Sequence, residues 1–189
     1  MVIAADLGHN RAALGMLQLM LIVTKVLVAG MVSALTMMAA PRSAAAIPLG
    51  ADDQVAITQA VTGVGLFADL RDWSRVGALL ADEVTSDYVS VFGGAPATTS
   101  RELLVDQWRA TFTGFEVTQH QITNVVVTPN PDGTATALSH VRASHWVDGR
   151  SWVLGGVYTH HLARGADGWQ VTYMRIDRLY EEGARLLRP

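Results

Sequence analysis

Four long stretches in which polar and apolar residues alternate dominate the second half of the chain. They are Phe115–Thr128, Thr134–Val147, Ser151–Ala163 and Trp169–Leu179. Because the side chains of a strand point alternately to its two faces, this alternation predicts strands with one buried face. The intervening segments "PNPDG", "DG" and "GADG" are turn signals that join neighbouring strands as hairpins. The sequence therefore predicts a meander of antiparallel strands, long enough that the sheet must curl.

Helical periodicity precedes these strands. Asp52 or Asp53 can cap a first helix, and Asp72 can cap a short second one. Thr99 and Glu102 form a capping box for a third helix, which ends at Phe112. The apolar stripe of the first helix consists of Ile57, Val61, Val64 and Ala68.

Two further segments complete the predicted architecture. Between the second and third helices, "VTSDYVSVF" is typical of a strand, and the tail "RLYEEGARLL" is typical of a short closing helix. Helices followed by a meander of long strands indicate an α+β fold. The helices can cover the concave side of the curled sheet, which gives a cone with a pocket inside.

The first 46 residues differ from the rest of the chain. Val26 to Ala40 has the length of the hydrophobic region of a signal peptide, and "AAA" at positions 44–46 is an A-x-A-like cleavage site. A cleaved export signal is expected, with a mature domain of residues 47–189. The alternative is an uncleaved membrane anchor, because about 20 apolar residues span a bilayer. The protein is therefore expected to be exported, or held at a membrane through residues 1–46 alone.

Composition excludes several classes of function. The chain has no cysteine, which excludes disulfides, thiol catalysis and cysteine-ligated zinc. The formal net charge is −3, Lys25 is the only lysine and the arginines are scattered, so no nucleic-acid partner is expected.

Metal and cofactor motifs are also missing from the sequence. His160 and His161 are adjacent in a predicted strand and point to opposite faces, and His140 and His145 differ in parity, so no metal site is expected. "GVGLFA" at positions 63–68 resembles a loose dinucleotide fingerprint. It lies inside a helical pattern with no strand before it, so its small residues are expected to let a helix pack closely, and no cofactor is expected.

Two histidines are expected to face the interior of the cone. In "TQHQITNVVV", His120 has the parity of Ile122, Asn124 and Val126. His145 lies on a neighbouring strand, and small side chains on its face leave room for a ligand. Those on the same face include Ala137, Ser139, Val141 and Ala143.

Six short motifs carry a resemblance to a known family. In chain order they are "FADLRDW", "DY", "TQH", "RASHW", "DGW" and "DRLYEEG". Together they resemble the scytalone dehydratase branch of the SnoaL-like proteins, within the NTF2-like superfamily, from about Asp52 to the C-terminus. The resemblance implies an NTF2-like cone, a curved antiparallel sheet wrapped around N-terminal helices.

The resemblance also implies an active site. By motif position, Asp69 would be the family's catalytic aspartate, and His120 would be its partner. His145 would match a second histidine and Tyr88 a tyrosine, which in the family hold a water and the substrate carbonyl. The sequence departs from the family where a second tyrosine is replaced by Ala68. The expected pocket residues are Phe67, Trp73, Asn124, Ala143, Val157, Tyr158 and Thr159, of which Val157 and Thr159 stand near a serine and an asparagine of the family.

Two functions remain open on these grounds. The first is an exported lyase (dehydratase) or isomerase that needs no cofactor and acts on a small apolar carbonyl compound by Asp-His acid–base chemistry. The second is a non-catalytic module of the same fold that binds a small ligand or serves for dimerisation. A homodimer formed through the outer face of the sheet is expected in either case.

Overall fold

The computed structural model describes residues 47–185, and the predicted export segment, residues 1–46, lies outside them. Helices precede the long strands, as the sequence predicts. The helices are α1 (Ala51–Asp69), α2 (Trp73–Ala78), α3 (Val89–Phe92) and α4 (Arg101–Phe112). The strands are β1 (Leu80–Asp87), β2 (Ala97–Ser100), β3 (Val117–Pro129), β4 (Ala135–Val147), β5 (Arg150–Gly165) and β6 (Gly168–Gly183).

The strands form one curved, unclosed sheet in the order β2-β1-β6-β5-β4-β3. The four long strands are the predicted antiparallel meander. Strand β1 adds to β6 in parallel, a pairing that the local pattern does not predict, and β2 pairs with β1 as an antiparallel edge strand. The α+β class and the NTF2-like cone are therefore confirmed.

Helix α1 lies against the concave face of the sheet. Its buried residues Ile57 and Val61 form a common core with Val84 of β1, Leu162 of β5 and Val171 of β6. A second cluster, which includes Trp152 and Ile176, lies toward the other end of the strands. Between these two clusters the cone stays open.

Two of the three predicted helix caps differ from the observed ones. Gly50 is the N-cap of α1, and Asp53 instead accepts hydrogen bonds from the side chains of Arg164 and Trp169. Asp72 caps α2 as predicted, accepting from the backbone of Arg75 at 3.1 Å. The cap of α4 is Ser100, one residue after the predicted Thr99.

Two segments adopt a structure other than the predicted one. The strand predicted for "VTSDYVSVF" ends at Asp87, and a short helix follows for which Tyr88 is the N-cap. The predicted closing helix is wrong as far as residue 185, because β6 continues to Gly183 in register with β5. Cross-strand pairing here outweighs the local helical preference.

A β-bulge in β3 changes which residues face inward. The register with β4 shifts between Thr123 and Val126, and Asn124 has a φ of 56°. Beyond the bulge, Val125 and Val127 pack against the core, whereas Val126 is 60% exposed. The predicted common face of His120, Ile122 and Val126 is therefore wrong after Ile122, because an extra residue reverses the alternation.

Candidate active site

A carboxylate and an imidazole form a hydrogen-bonded pair where the end of α1 meets β3. Nδ1 of His120 lies 2.8 Å from Oδ1 of Asp69, and the backbone N–H of His120 donates to Oδ2 at 2.6 Å. Each side chain is only 12% exposed. Because an ionised carboxylate only accepts hydrogen bonds, Nδ1 carries the hydrogen and Nε2 is the basic atom of the ring.

A third donor completes the environment of the carboxylate. The Thr118 hydroxyl donates to Oδ1 of Asp69 at 2.8 Å. Burial acts to raise the pKa of Asp69, but the hydrogen bonds and charge of His120, together with the Thr118 hydroxyl, outweigh it and lower the pKa below its usual value. Asp69 is therefore a carboxylate at neutral pH.

The guanidinium of Arg71 holds Thr118 and the neighbouring backbone in place through hydrogen bonds. Nη1 donates to Oγ1 of Thr118 at 2.8 Å and to the carbonyl of Ala68 at 3.0 Å, while Nη2 donates to the carbonyl of Phe112 at 3.3 Å. Cζ of Arg71 lies over the Phe112 ring, 4.9 Å from the ring centroid. The Phe112 ring in turn stacks on the ring of His120, with the two centroids 5.9 Å apart. One side chain thus links α1, α4 and β3 around the pair.

Arg71 occupies a backbone position that usually belongs to glycine. Its φ is 59°, and it follows the end of α1 in a Schellman motif, with the N–H of Asp72 bonded to the carbonyl of Phe67. A side chain in the left-handed region is strained and persists where its surroundings hold it. The guanidinium contacts supply that restraint.

Gly65 allows α1 to approach His120. A Cβ built at Gly65 would lie 3.0 Å from the Cβ of His120 and 3.0 Å from Cδ1 of Ile122. Gly65 of "GVGLFA" is therefore needed for close helix–sheet packing, which agrees with the sequence-based interpretation.

The second histidine is neutral and lies beside the pair. The ring of His145 is 5.8 Å from that of His120, stacks on Trp152 and contacts Phe115. Burial, followed by the charge of His120, lowers the pKa of His145 to about 4. Its Nδ1 lies 3.3 Å from the Trp152 carbonyl and so carries the hydrogen, which leaves Nε2 as an acceptor. A neutral His145 in this tautomer can accept from a water or a hydroxyl but cannot donate from Nε2.

Two partly buried tyrosines supply hydroxyl donors. Burial raises the pKa of Tyr88 above its ordinary value, and the neighbouring Tyr158 adds to the effect. Burial and the charge of Asp69 raise the pKa of Tyr158 to about 12. Both phenols therefore keep their protons at any ordinary pH.

These groups border one cavity of about 760 Å³. His120, His145 and Tyr88 all line it, as do Ala143 and Tyr158 from the predicted pocket set. Asp69 lies behind His120, where it contacts the ring. The rest of the lining is largely apolar and includes Val61, Val91, Phe112, Phe115, Leu154 and Ile176.

The other five predicted pocket residues are not among those that line the cavity. Val157 and Thr159 pair with His140 and Leu138, both exposed, and so lie on the outer face of the sheet. Asn124 is in the bulge and contacts His140.

The remaining two, Phe67 and Trp73, pack outside the cavity. The Phe67 ring lies under the guanidinium of Arg75, and the Trp73 ring packs edge-on against Phe112. Both belong to the partly buried rim of the core.

Sequence reasoning overlooked Thr118 and Arg71. Thr118 lies two residues before His120, so the same parity argument would have placed it on the inner face. Arg71 carries no such signal, since its position after a helix predicts glycine.

Neither a metal centre nor a membrane span is found within residues 47–185. No three or more histidines or acidic residues come together there in a way that could hold a metal ion. No helix of that region is long and apolar enough to cross a bilayer. The expectation that the protein holds no metal stays a prediction.

Comparison with known proteins identifies relatives of this chain and of its fold. The sequence model of the SnoaL-like domain family matches residues 50–175 of the chain. The Kfla4162 protein of Kribbella flavida is 32% identical, with a TM-score of 0.66 over 69% of this chain and 93% of that one. No curated protein matches the chain.

More distant structures share the fold. A candidate scytalone dehydratase from Novosphingobium aromaticivorans is 18% identical, with a TM-score of 0.61 over 73% of this chain and 93% of that one. A type 2 hexachlorocyclohexane dehydrochlorinase (LinA) is 15% identical, with a TM-score of 0.62 over 71% of this chain and 90% of that one.

Proposed function

The chain belongs to the SnoaL-like domain family, and on that premise we propose that it is a cofactor-independent lyase or isomerase acting on a small, largely apolar carbonyl compound. The observation that carries this proposal is the Asp69–His120 pair beside an open cavity. A buried base, an adjacent apolar space and protonated phenols are the parts that proton abstraction next to a carbonyl requires.

In the proposed dehydration, Nε2 of His120 removes a proton from the carbon next to the carbonyl. The electrons of that C–H bond form an enolate. The enolate then re-forms the carbonyl and a conjugated carbon–carbon double bond as the β-carbon to oxygen bond breaks, and the departing hydroxyl takes a proton from His120 to leave as water. Asp69 holds Nδ1–H throughout and stabilises the imidazolium between the two transfers. An isomerase would use the same first step and return the proton to another carbon.

The donor to the developing enolate oxygen is assigned to a phenol. Tyr158 and Tyr88 both line the cavity and remain protonated, whereas Nε2 of neutral His145 is an acceptor. Of the two tasks that the resemblance implies, holding a water and holding the substrate carbonyl, only the first suits His145. We therefore assign it to orienting a water or the leaving hydroxyl.

Two of the structural neighbours support an elimination. One is described as a candidate scytalone dehydratase and the other as a hexachlorocyclohexane dehydrochlorinase. Both names imply loss of a small molecule from adjacent carbons, which begins with the proton abstraction proposed for His120.

The competing function is a non-catalytic binding module. A filled cone would favour it, and the open cavity with a polar pair favours the enzyme. We also propose that residues 1–46 direct export, which N-terminal sequencing of the mature protein near Ile47 would test.

The test of the proposed activity is direct. A neutral β-hydroxy ketone, 4-hydroxy-4-phenylbutan-2-one, loses water to a conjugated enone that absorbs strongly in the near ultraviolet. Enone formation that depends on Asp69 and His120 would support the lyase. A panel of such ketones that stabilises the protein against heat without any turnover would favour the binding module.

A further inference from the structure

A second group of polar side chains lines the cavity on β1, β2 and β5, whereas His120 lies on β3. Ser86 of β1 and His160 of β5 are both in register with Met174 of β6, one on each side of it. The Tyr88 hydroxyl lies 3.2 Å from Sδ of Met174. A thioether is a weak acceptor, so this contact uses little of the hydrogen-bonding capacity of the phenol.

The polar atoms of this group lack well-formed hydrogen bonds. Oγ1 of Thr99 and Nδ1 of His160 are buried and make no hydrogen bond within residues 47–185. Oγ of Ser86 is also buried without a hydrogen bond of good geometry there, but it neighbours the Tyr88 hydroxyl and acts to lower the pKa of that phenol. His160 is only 2% exposed. A buried polar group without a partner destabilises the fold, and several such groups along one cavity indicate a missing water or ligand.

Ser86 and Thr99 lie toward the edge of the sheet opposite His120. His120 lies on β3, one edge of the sheet, whereas Thr99 lies on β2, the other edge, with Ser86 on the adjacent β1. Curling of the sheet turns both edges toward the same space, and residues of both line the cavity. A serine or threonine hydroxyl can change its direction by rotation about χ1.

The lining also restricts the charge of a ligand. Of the described residues that line the cavity, none is Asp, Glu, Arg or Lys. Burial lowers the pKa of His160 to about 4, so this histidine is neutral and offers one donor and one acceptor. A charged ligand group would lose its hydration here without gaining a counter-charge.

We propose that Ser86, Thr99 and His160 form a subsite for a second, uncharged polar group of the ligand, a hydroxyl that both donates and accepts. The substrate class is then a neutral compound with a carbonyl at one end, an apolar body and a hydroxyl at the other. This inference rests on the proposed function only for the assignment of the reacting end to His120.

The subsite can be tested by equilibrium binding of matched ketones. 4-Phenylcyclohexanone has a carbonyl and an apolar body, and 4-(4-hydroxyphenyl)cyclohexanone adds a distal hydroxyl. Isothermal titration with the folded protein should give a Kd about tenfold lower for the hydroxylated compound, and the corresponding 4-(4-oxocyclohexyl)benzoate should bind more weakly than either.

Variants assign the preference to the proposed residues. S86A combined with H160F should equalise the two Kd values by weakening the hydroxylated ketone. S139A is the matched control, because Oγ of Ser139 is likewise buried without a hydrogen bond in the described chain, but Ser139 does not line the cavity. It should leave the tenfold preference intact.

The outcomes separate the subsite from the catalytic proposal. Equal Kd values for the two ketones in the unmodified protein, failure of both to bind, or loss of the preference in S139A would each overturn the subsite. A preference that disappears in S86A/H160F while no β-hydroxy ketone is turned over would uphold the subsite and count against the lyase. Turnover of a β-hydroxy ketone without any preference for the hydroxylated ligand would support the lyase and overturn the subsite.

Discussion

Asp69 accepts two hydrogen bonds from His120, one from the ring at 2.8 Å and one from the backbone N–H at 2.6 Å. The backbone donor belongs to a paired strand, so the carboxylate is fixed relative to β3 as well as to the imidazole. The pair is thus held in its working geometry by the fold, which limits the reorganisation that proton transfer requires.

Replacing the carboxylate should abolish turnover while leaving the fold intact. Asp69→Asn preserves the shape of the side chain but not its charge, so the imidazolium loses its counter-ion, and we expect kcat to fall by about 10²–10⁴-fold. His120→Ala should have the same effect. Asp72→Asn is the matched control, since asparagine also caps helices well and Asp72 lies outside the cavity. Circular dichroism should show unchanged structure for all three. Full activity in Asp69→Asn would remove the acid–base mechanism.

Arg71 should affect the chemistry more than the stability. Arg71→Gly relieves the left-handed backbone, a gain of about 1 kcal/mol that offsets part of the lost guanidinium contacts. With the support of Thr118 removed, we expect kcat to fall, KM to change little and the acid limb of the pH–rate profile to move. Arg75→Gly, at an exposed position of helix α2, should lower stability with no change in that profile. A pH–rate profile that stays unchanged in Arg71→Gly would argue for a purely structural arginine.

Stability should depend on pH between about 6.5 and 4. Burial lowers the pKa values of His145 and His160 from 6.5 to about 4 in the folded protein, and both return to 6.5 on unfolding. The unfolded state therefore binds more protons in this range. The contribution of these two histidines to the free energy of unfolding is full above pH 6.5, falls as the pH drops and levels off below about 4. Each histidine contributes on the order of 3 kcal/mol to that fall.

Urea denaturation at a series of pH values measures this effect. His160→Gln should flatten the decline, because it removes one of the two titrating groups. His161→Gln is the control from the adjacent, exposed position. Parallel curves for His160→Gln and the unmodified protein would contradict the assignment.

Helix α1 should tolerate alanine at one glycine of "GVGLFA" but not at the other. A Cβ at Gly65 meets the Cβ of His120 and Cδ1 of Ile122, so Gly65→Ala should push the helix away from β3, lowering both kcat and the melting temperature. A Cβ at Gly63 meets chiefly the movable end of Leu79 at 2.8 Å. Gly63→Ala should therefore keep most of the activity. Similar losses in both variants would show that the Asp69–His120 geometry is not sensitive to this approach.

The outer face of the sheet is expected to hold a weak homodimer. Leu138 and Val126 are 46% and 60% exposed among otherwise polar neighbours. Burying such side chains between two copies favours association, although the polar surroundings keep it modest. Sedimentation at high micromolar concentration should detect the dimer, and Leu138→Arg should dissociate it. A monomer at that concentration would refute the prediction.

The sequence predicted site residues correctly where polar and apolar residues alternate without interruption along a strand. It misplaced residues where a bulge interrupts that alternation. His120 and His145 lie on uninterrupted strand segments, so parity assigned their faces correctly. The faces of Val126 and its neighbours depended on an extra residue that no local pattern shows. The pairing of β1 with β6 joins residues far apart in the chain, and the strained backbone of Arg71 contradicts the usual preference for glycine.

The bulge at Asn124 has a consequence for solubility. Strand β3 is an open edge of the sheet and runs for 13 residues, long enough to template an extended segment of another chain. The bulge divides this edge into two shorter runs, and Pro129 ends the second without an N–H to donate. The opposite edge, β2, offers only four residues. The same irregularity that turns Val125 and Val127 into the core therefore also makes edge-to-edge aggregation of this protein less favourable.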